Sequence, residues 1–384
     1  MTKPKLTSEE FNRKYFLLPN ETKLIKYATK SISTVGLVGK PSNFFRDFNY
    51  RLFKQKAAIF GLVSIVVLIL ISIIVPATSP YVATLPISSI STTFLKELPP
   101  SYTTVQTSLF SATDFAIIQN AEKNSNLNII ISAVDFGGNF LVTYRPYTLI
   151  QAISGQSLTS LVGTDQYGRD IWLQSWQGTR DAIVLSIIYA SITFSVGVFV
   201  GAFIGFHVGK WIDTFLLRLI EIFDSIPGFL LLIILTGVLG RNLVALGVIL
   251  ILINWTGSVY SARTYIITIK DEEFLKASKA IGSSKFRIIY FHALPQILGK
   301  ILGNFMNSLI SGITILTGLA FLGILTSGPN TPPNLGLVLN EGRNLIDRNL
   351  WAVGLPTIIL VALTVNLRLI AIGIHDALDP KIKV

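Results

Sequence analysis

Long runs of apolar residues without charges recur along the second half of the chain, and one such run lies near its beginning. A helix needs about 20 mostly apolar residues to cross a bilayer. The qualifying runs are 57–75, 183–206, 242–262, a segment within 301–340, and 349–367, while a sixth, 215–239, carries charges only at its start. The pattern predicts an all-α polytopic membrane protein with six transmembrane helices.

Composition supports a membrane protein and excludes several other classes. Hydrophobic residues make up 51% of the 384 residues and charged residues only 14%, against about 25% charged in soluble chains. The net charge of +11 does not indicate nucleic-acid binding, because the basic residues flank the apolar runs instead of forming a stripe among aromatics. The chain has no cysteine, and its three histidines are far apart. We therefore expect no disulfide, no cysteine nucleophile and no metal site held by thiolates or by a cluster of histidines.

The distribution of basic residues predicts the orientation. With both termini placed in the cytoplasm, the inner segments hold 24 Lys and Arg residues and the outer segments hold 8. Cytoplasmic segments of membrane proteins are enriched in these residues. The first apolar run starts at residue 57 and lacks a cleavage pattern, so we expect an uncleaved anchor in the cell membrane.

These spans divide the chain into a cytoplasmic basic arm (1–56), a first transmembrane helix (57–75) and an extracellular segment (76–181). A five-helix core (182–374) follows, with a cytoplasmic loop at 263–300 and a cytoplasmic tail at 375–384. The basic residues just before the first helix, Arg51, Lys54 and Lys56, suit anchoring at anionic headgroups. Docking of the arm on a partner is the alternative.

The extracellular segment is too long for a simple connection. Two β-branched and aromatic runs flank Gly137 and Gly138 within 127–144, which predicts a β-hairpin. We expect a small β-containing insertion at 82–158, and Ile130 and Leu141 indicate burial on both faces of its sheet. It serves either as a lid over the helix ends or as a docking surface for an external partner.

Small residues follow a regular spacing on the second helix. Gly197, Gly201, Gly205 and Gly209 recur every four residues and share one face. Small residues let helices in a membrane approach closely, so the spacing predicts helix packing. The lining of a narrow path is the alternative.

The loop 263–300 contains a short amphipathic helix. Acidic side chains favour a helix N-terminus, an i, i+3, i+4, i+7 pattern marks one helix face, and glycine commonly ends a helix. The acidic side chains are Asp271, Glu272 and Glu273, and the terminal glycine is Gly282. The helix face consists of Phe274, Ala277, Ser278 and Ile281. The next membrane helix starts near Leu294 and Pro295. The pattern fits a helix inserted into a soluble partner or one lying at the membrane interface.

Two acids, Glu221 and Asp224, lie near the inner end of the third helix. Charges inside a membrane usually face a cavity or a partner charge. The two acids could pair with Arg218 or Arg263, line an inward vestibule, or relay protons. Proton relay belongs to an alternative function, a secondary transporter.

No phosphate-binding loop is evident. Residues 36–40 approach the P-loop pattern, but Thr34 occupies the position of its first glycine and Pro41 that of the Ser or Thr. If ATP powers transport here, another chain must bind it.

Several motifs resemble those of the permease subunits of ABC importers. The family's E-A-A, three residues, G, nine residues, I-x-L-P pattern is matched by Lys276-Ala277-Ser278, Gly282 and Leu294-Pro295, with His292 at the Ile position. The chain resembles the oligopeptide, dipeptide and nickel branch of this family at three segments: 161–170 (LVGTDQYGRD), Glu341-Gly342-Arg343 and 376–380 (DALDP). The first span is similar to that of the C-type permease. Departures from the pattern are Lys276, Ser278 and Ile372.

The resemblance implies the type I importer permease architecture. It also implies a homologous permease partner, two cytoplasmic ATPases that bind ATP and magnesium, and an extracellular substrate-binding protein. The short helix near 271–284 would be the coupling helix, seated on one ATPase. The function implied is translocation of oligopeptides or dipeptides without catalysis by this chain. The alternatives are a secondary transporter and a membrane-anchored adhesive protein.

Overall fold

The computed structural model describes residues 44–88, 92–326 and 328–378. Most of the predicted arm 1–56, including the segment 36–40, lies outside the described residues, and so do residues 379–384 of the predicted tail. The chain divides into two units between Tyr50 and Arg51.

The described elements are mostly helical. In chain order they are α1 (Phe44–Leu52), α2 (Lys56–Thr78), β1 (Gln106–Ser111), α3 (Ala112–Ser125), β2 (Ile130–Phe136), β3 (Asn139–Tyr144), α4 (Pro146–Ser154), α5 (Ile171–Phe206), α6 (Trp211–Asp224), α7 (Gly228–Leu239), α8 (Leu243–Asn254), α9 (Thr256–Ile269), α10 (Glu273–Ala280), α11 (Lys285–Arg287), α12 (Leu294–Phe321), α13 (Leu335–Gly342) and α14 (Trp351–Leu378). A π-helical segment, Ile288–Ala293, joins α11 to α12, and single 3-10 turns occupy Thr92–Phe94 and Arg343–Leu345.

Five helical runs in the described part of the chain are long and apolar enough to cross a membrane. They are α2, α5, the run α8–α9, the run from α11 through α12, and α14. The pair α6–α7 gives a sixth span if it is counted as one element. Helix α5 packs against α9 and α12, and α14 packs against α2 and α12. The predicted all-α membrane fold with a small sheet is confirmed, and the six predicted spans correspond to these five helical runs and the pair α6–α7.

The third predicted span, 215–239, is not one continuous helix. Helices α6 and α7 meet at an angle of 78°. Pro227 lies between them, where it provides no N–H group and disfavours helical geometry at the residue before it. Its carbonyl oxygen accepts from Leu230 and Leu231 and so starts the new helix. The span is therefore broken.

The helix that contains the predicted second span begins before residue 183, the predicted start of that span, and before residue 182, the predicted start of the core. Helix α5 begins at Ile171, where the Asp170 carboxylate accepts from the Leu173 N–H at 3.0 Å. The charges that interrupt the apolar run, Arg180 and Asp181, lie inside the helix and pair with each other at 2.9 Å. A hydropathy pattern does not register such neutralisation.

The helices that contain the last two spans also extend beyond the predicted apolar runs. Helix α12 begins at Leu294, where the loop pattern predicts the next membrane helix to start, and so includes residues before the apolar segment 301–340. Lys300 is exposed on the helix surface and does not interrupt it. Helix α14 continues to Leu378, past the predicted core limit at 374, and carries Arg368 within its length.

The β-containing insertion is present, and its hairpin forms where the sequence predicts it. Strands β2 and β3 pair antiparallel across Gly137 and Gly138, both with positive φ (64° and 95°), as a two-residue hairpin turn requires. Strand β1 pairs antiparallel with the other side of β3, which gives the order β1-β3-β2.

Only one face of this sheet is buried, so the expectation of burial on both faces is wrong. Helices α3 and α4 contribute to a core around Ile118, Ile129 and Val142, which are fully buried. The opposite face carries one register-matched row, Leu109, Leu141 and Val134, which are 58%, 38% and 55% exposed. The row is exposed because no described helix packs against it.

Three of the four predicted glycines let α5 approach α9 closely. A Cβ atom on Gly197 would lie 2.5 Å from the Trp255 carbonyl oxygen, and one on Gly205 would lie 2.8 Å from that of Arg263. Gly201 meets Val259 and Ala262 in the same way. Gly209 is not part of the stripe, since it lies in the turn before α6 with φ +78°.

Candidate functional site

Helix α10 lies between the spans α8–α9 and α12; it contains five of the eleven predicted coupling residues, and four more adjoin its two ends. Asp271 and Glu272 precede the helix, and Glu273 is its first residue, so three carboxylates lie at its N-terminus, where the helix dipole favours negative charge. Gly282 adopts φ +86°, and its N–H donates to the Lys279 carbonyl oxygen at 3.1 Å. The Ser283 N–H donates to the Ser278 carbonyl oxygen. This paired arrangement is a Schellman ending, which glycine favours.

One side of α10 is anchored and the other is open. Leu275 is 2% exposed and packs in a cluster with residues of α9 and the π-helical segment, including Ile266 and Ile289. In contrast, Phe274 is 42% exposed and Ile281 is 84% exposed. Lys276 and Ala277 are also exposed, and the Ser278 hydroxyl donates to the Phe274 carbonyl oxygen at 2.9 Å. Helix α10 therefore presents an apolar surface that no other described element covers.

Two features of this loop were not predicted from the sequence. Leu275 is the anchor, although it lies off the predicted apolar face. Phe286 on α11 is 57% exposed, and its ring lies 4.6 Å from that of Tyr290. An aromatic residue within an otherwise polar loop is the signal that could have identified Phe286, since exposed aromatic residues often mark interaction surfaces.

Leu294 and Pro295 begin α12 without a break from the preceding segment. They continue a helical run from Lys285, because the π-helical segment Ile288–Ala293 precedes them and the Leu294 N–H donates to the Ile289 carbonyl oxygen. Leu294 is half-buried and Pro295 is exposed.

The acids Glu221 and Asp224 have different partners. Arg218 Nη1 donates to Glu221 at 2.7 Å, and both side chains are exposed. The Tyr260 hydroxyl donates to Asp224 at 3.1 Å. Arg263 does not pair with either acid: its guanidinium donates twice to Asp213, at 2.9 and 3.1 Å. In the described part of the chain, no hydrogen bond or ion pair connects the two acids to α10.

The motif residues at 161–170 and 341–343 meet in a buried ion-pair cluster. Arg169 Nε lies 2.6 Å from Asp165 Oδ2, and Arg169 Nη2 lies 2.8 Å from Glu341 Oε2; the side chains of all three residues are at most 6% exposed. Gln174 Nε2 donates to Asp165 at 2.9 Å. The cluster thus connects the segment before α5 to α13.

The same arginine holds the loop that follows α12. Arg169 Nη1 donates to the Gly328 carbonyl oxygen at 3.2 Å. This loop lines a cleft of about 1060 Å³ together with the residues between α7 and α8, including Arg241 and Asn242. The motif segments 161–170 and 341–343 therefore act together to position one wall of this cleft.

A second buried carboxylate fixes the start of α5. Asp170 accepts hydrogen bonds from the Ser160 hydroxyl and the Leu173 N–H. Burial raises the pKa of Asp170, and these hydrogen bonds partly oppose the rise by favouring the charged form. The group lies in a hydrogen-bonded turn and caps the helix, which is a structural role. Among the described residues, no group of three His, Asp or Glu side chains could hold a metal ion.

Comparison with known proteins assigns this architecture. Residues 197–384 match the family described as binding-protein-dependent transport system inner membrane component, and residues 43–100 match the N-terminal TM domain of oligopeptide transport permease C. An oligopeptide transport system permease protein OppC from Mycoplasma pneumoniae is 30% identical over 355 residues, which is 90% of this chain and 93% of the relative. The corresponding protein of Mycoplasma genitalium has the same identity and coverage. A dipeptide transport system permease protein DppC from Bacillus subtilis is 30% identical over 222 residues, or 58% of this chain and 68% of the relative.

Proposed function

The chain belongs to the family of inner membrane components of binding-protein-dependent transport systems, and from this premise we propose that it forms half of a pathway for oligopeptides or dipeptides. It is a permease subunit of the ABC importer type, and ATP hydrolysis belongs to separate subunits. The family assignment replaces the alternative of a secondary transporter. The oligopeptide or dipeptide cargo is proposed because the relatives are oligopeptide and dipeptide permeases.

The observation that carries the mechanism is the exposed apolar surface of α10. Phe274 and Ile281 lie on the open side of the helix, and Leu275 fixes the helix to the bundle. A movement of α10 imposed by an ATPase would therefore be transmitted to α9 and to the start of α12. The transporter would shift between outward-open and inward-open states because the ATPase binds α10 differently in each.

The proposed assembly contains one homologous permease, two cytoplasmic ATPases that bind ATP and magnesium, and an extracellular substrate-binding protein. We place α10 and both termini on the cytoplasmic side, because 23 of the 32 basic residues then lie on that side even without Arg368, which lies within α14. The departures Lys276 and Ser278 imply a charge contact with the ATPase that differs from the one made by an E-A-A sequence.

The sheet of residues 106–144 is then extracellular, because it follows the first span. Its open face, with Leu109, Val134 and Leu141 in one row, is proposed as a contact for the substrate-binding protein. The family depends on such a protein, and it approaches from this side of the membrane. If the sheet is instead a simple lid over the helix ends, changes on this face will leave capture of the binding protein unchanged.

The coupling role is tested with Phe274→Asp and Ile281→Asp in the complete transporter, reconstituted in vesicles with its ATPases and binding protein. A carboxylate desolvated at an apolar interface costs on the order of several kcal/mol if unpaired. We expect both variants to lose at least tenfold of ATP-driven peptide uptake while membrane insertion is unchanged. Ala280→Asp, which adds the same charge at an exposed position off the apolar face, is the matched control. Normal uptake by both variants would refute the assignment.

A further inference from the structure

Two transmembrane helices carry the same polar pattern. The end of α8 and the start of α9 hold Asn254, Gly257, Ser258 and Ser261, and α12 holds Asn304, Asn307, Ser308 and Ser311. Both sets follow the spacing i, i+3, i+4, i+7, which places the members of each set on one helix face. The function described above does not account for either stripe.

The two stripes line one cavity. It has a volume of about 240 Å³, and Tyr189 and Ile315 complete its wall. Asn307 lies at the middle of the 28-residue helix α12, and Asn254 lies near the middle of the 27-residue run Leu243–Ile269. The cavity is therefore at mid-depth of both spans, where polar groups are least favourable when they face lipid.

The cavity walls retain hydrogen-bonding capacity. Ser261 and Ser308 donate to carbonyl oxygens of their own helices, which leaves their oxygen atoms free to accept. Within the described part of the chain, the side chains of Asn304 and Ser311 make no hydrogen bond, and Ser311 is exposed. Such a surface requires water, a polar solute or another protein to cover it.

A positive charge lies beside Asn307, one of the residues that line this cavity. Arg368 on α14 donates from Nη1 to Asn307 Oδ1 at 2.9 Å, and no Asp or Glu of the described chain pairs with it. A guanidinium carries five donors, so donors remain for a further acceptor. It matches a carboxylate with two parallel hydrogen bonds. An arginine inside a membrane span is generally functional.

We propose that this cavity is where the subunit contacts its cargo, and that the cargo is a short peptide with a free C-terminal carboxylate. The neutral amides and hydroxyls of both stripes bond to the peptide main chain, which every sequence presents. Arg368 receives the terminal carboxylate. The proposal rests on the proposed transport function and specifies the chemistry that the pathway recognises.

The experiment compares tetra-alanine with its C-terminal amide in ATP-driven uptake by the reconstituted complete transporter. Arg368→Gln retains a donor for Asn307 but loses the charge. We expect it to lower uptake of the free acid about tenfold or more, while uptake of the amide changes less than twofold. Arg368→Lys should restore a large part of free-acid uptake. The affinity of the isolated binding protein for each peptide is measured separately, because that protein could also discriminate between them.

The neutral part of the site is tested with Asn304→Ala and Ser311→Ala, which should lower uptake of both peptides alike. Ser72→Ala removes an intramembrane hydroxyl that bonds only within α2 and serves as control. Copurification of each variant with its partner subunits establishes assembly. An equal effect of Arg368→Gln on both peptides, or no effect, overturns the carboxylate site. Failure of the unaltered transporter to import either peptide would instead refute the proposed function.

Discussion

Arg169 donates to the Glu341 carboxylate at 2.8 Å, although 172 residues separate them in sequence. The same guanidinium lies 2.6 Å from Asp165, so a single arginine pairs with two buried acids. Through this contact the segment before α5 is fixed to α13, and the loop that lines the wide cleft is fixed to both.

Loss of this arginine is expected to destabilise the protein strongly. Removing one partner of a buried ion pair costs about 3–5 kcal/mol, because the remaining charge stays buried without compensation. Arg169→Ala leaves two buried acids without their arginine. Its loss of stability should therefore exceed that of Glu341→Gln, which places a neutral side chain of the same shape beside Arg169. Thermal unfolding of the purified subunit in detergent measures both effects.

The control for this prediction is the exposed pair of Arg348 and Glu97, whose atoms also lie 2.6 Å apart. Exposed ion pairs contribute about 0–1 kcal/mol, so Arg348→Ala should have a small effect. Equal losses in Arg169→Ala and Arg348→Ala would contradict the role assigned to the buried cluster.

Close packing of α5 on α9 predicts a penalty for a single methyl group. A Cβ atom at Gly201 would lie 2.9 Å from the Ala262 Cβ, which is closer than carbon atoms pack. Overpacking of this kind typically costs about 1–3 kcal/mol. Gly201→Ala should therefore lower the unfolding temperature, whereas Gly303→Ala should not, because a Cβ there has nothing within 4 Å.

The extracellular sheet provides a test of docking. Deletion of residues 82–158 would also remove the Leu98 carbonyl oxygen that accepts from the Thr164 N–H, and so would disturb the start of α5. Glutamate at Leu109, Val134 and Leu141 is a sharper change, since all three side chains are exposed. We expect weaker capture of the loaded binding protein, with basal ATPase activity unchanged.

The matched control for docking is Ile117→Glu, because Ile117 is 44% exposed on α3, on the helical side of the same subdomain. If the triple variant captures the binding protein as well as the unaltered transporter does, the sheet is a lid and the docking proposal is refuted.

The orientation is tested by cysteine labelling, since the chain contains no cysteine. Lys279→Cys on α10 should react with an impermeant maleimide only after the membrane is opened. Val134→Cys on the sheet should react in intact cells. Both positions are exposed, so a lack of reaction would reflect the membrane and not burial. Labelling of position 279 from outside would reverse the proposed topology.

Features that depend on neighbouring residues could be predicted from the sequence. The hairpin at Gly137 and Gly138 and the ending of α10 at Gly282 follow from positive φ angles, which glycine adopts without strain. The apolar runs likewise indicate the spans, because the cost of burying charge in lipid acts on each helix separately.

Only the tertiary structure decided which polar groups meet. The sequence contains Asp165, Arg169 and Glu341 in two separate motifs, and nothing local indicates that they form one cluster. Arg263 was a candidate partner for Glu221, yet it pairs with Asp213, and the start of α5 was missed because Arg180 and Asp181 neutralise each other. The polar faces of α9 and α12 line one cavity only once the two helices pack together. The physical reason is that an ion pair or a cavity depends on distances in space, which the folded chain sets and which spacing along the sequence does not record.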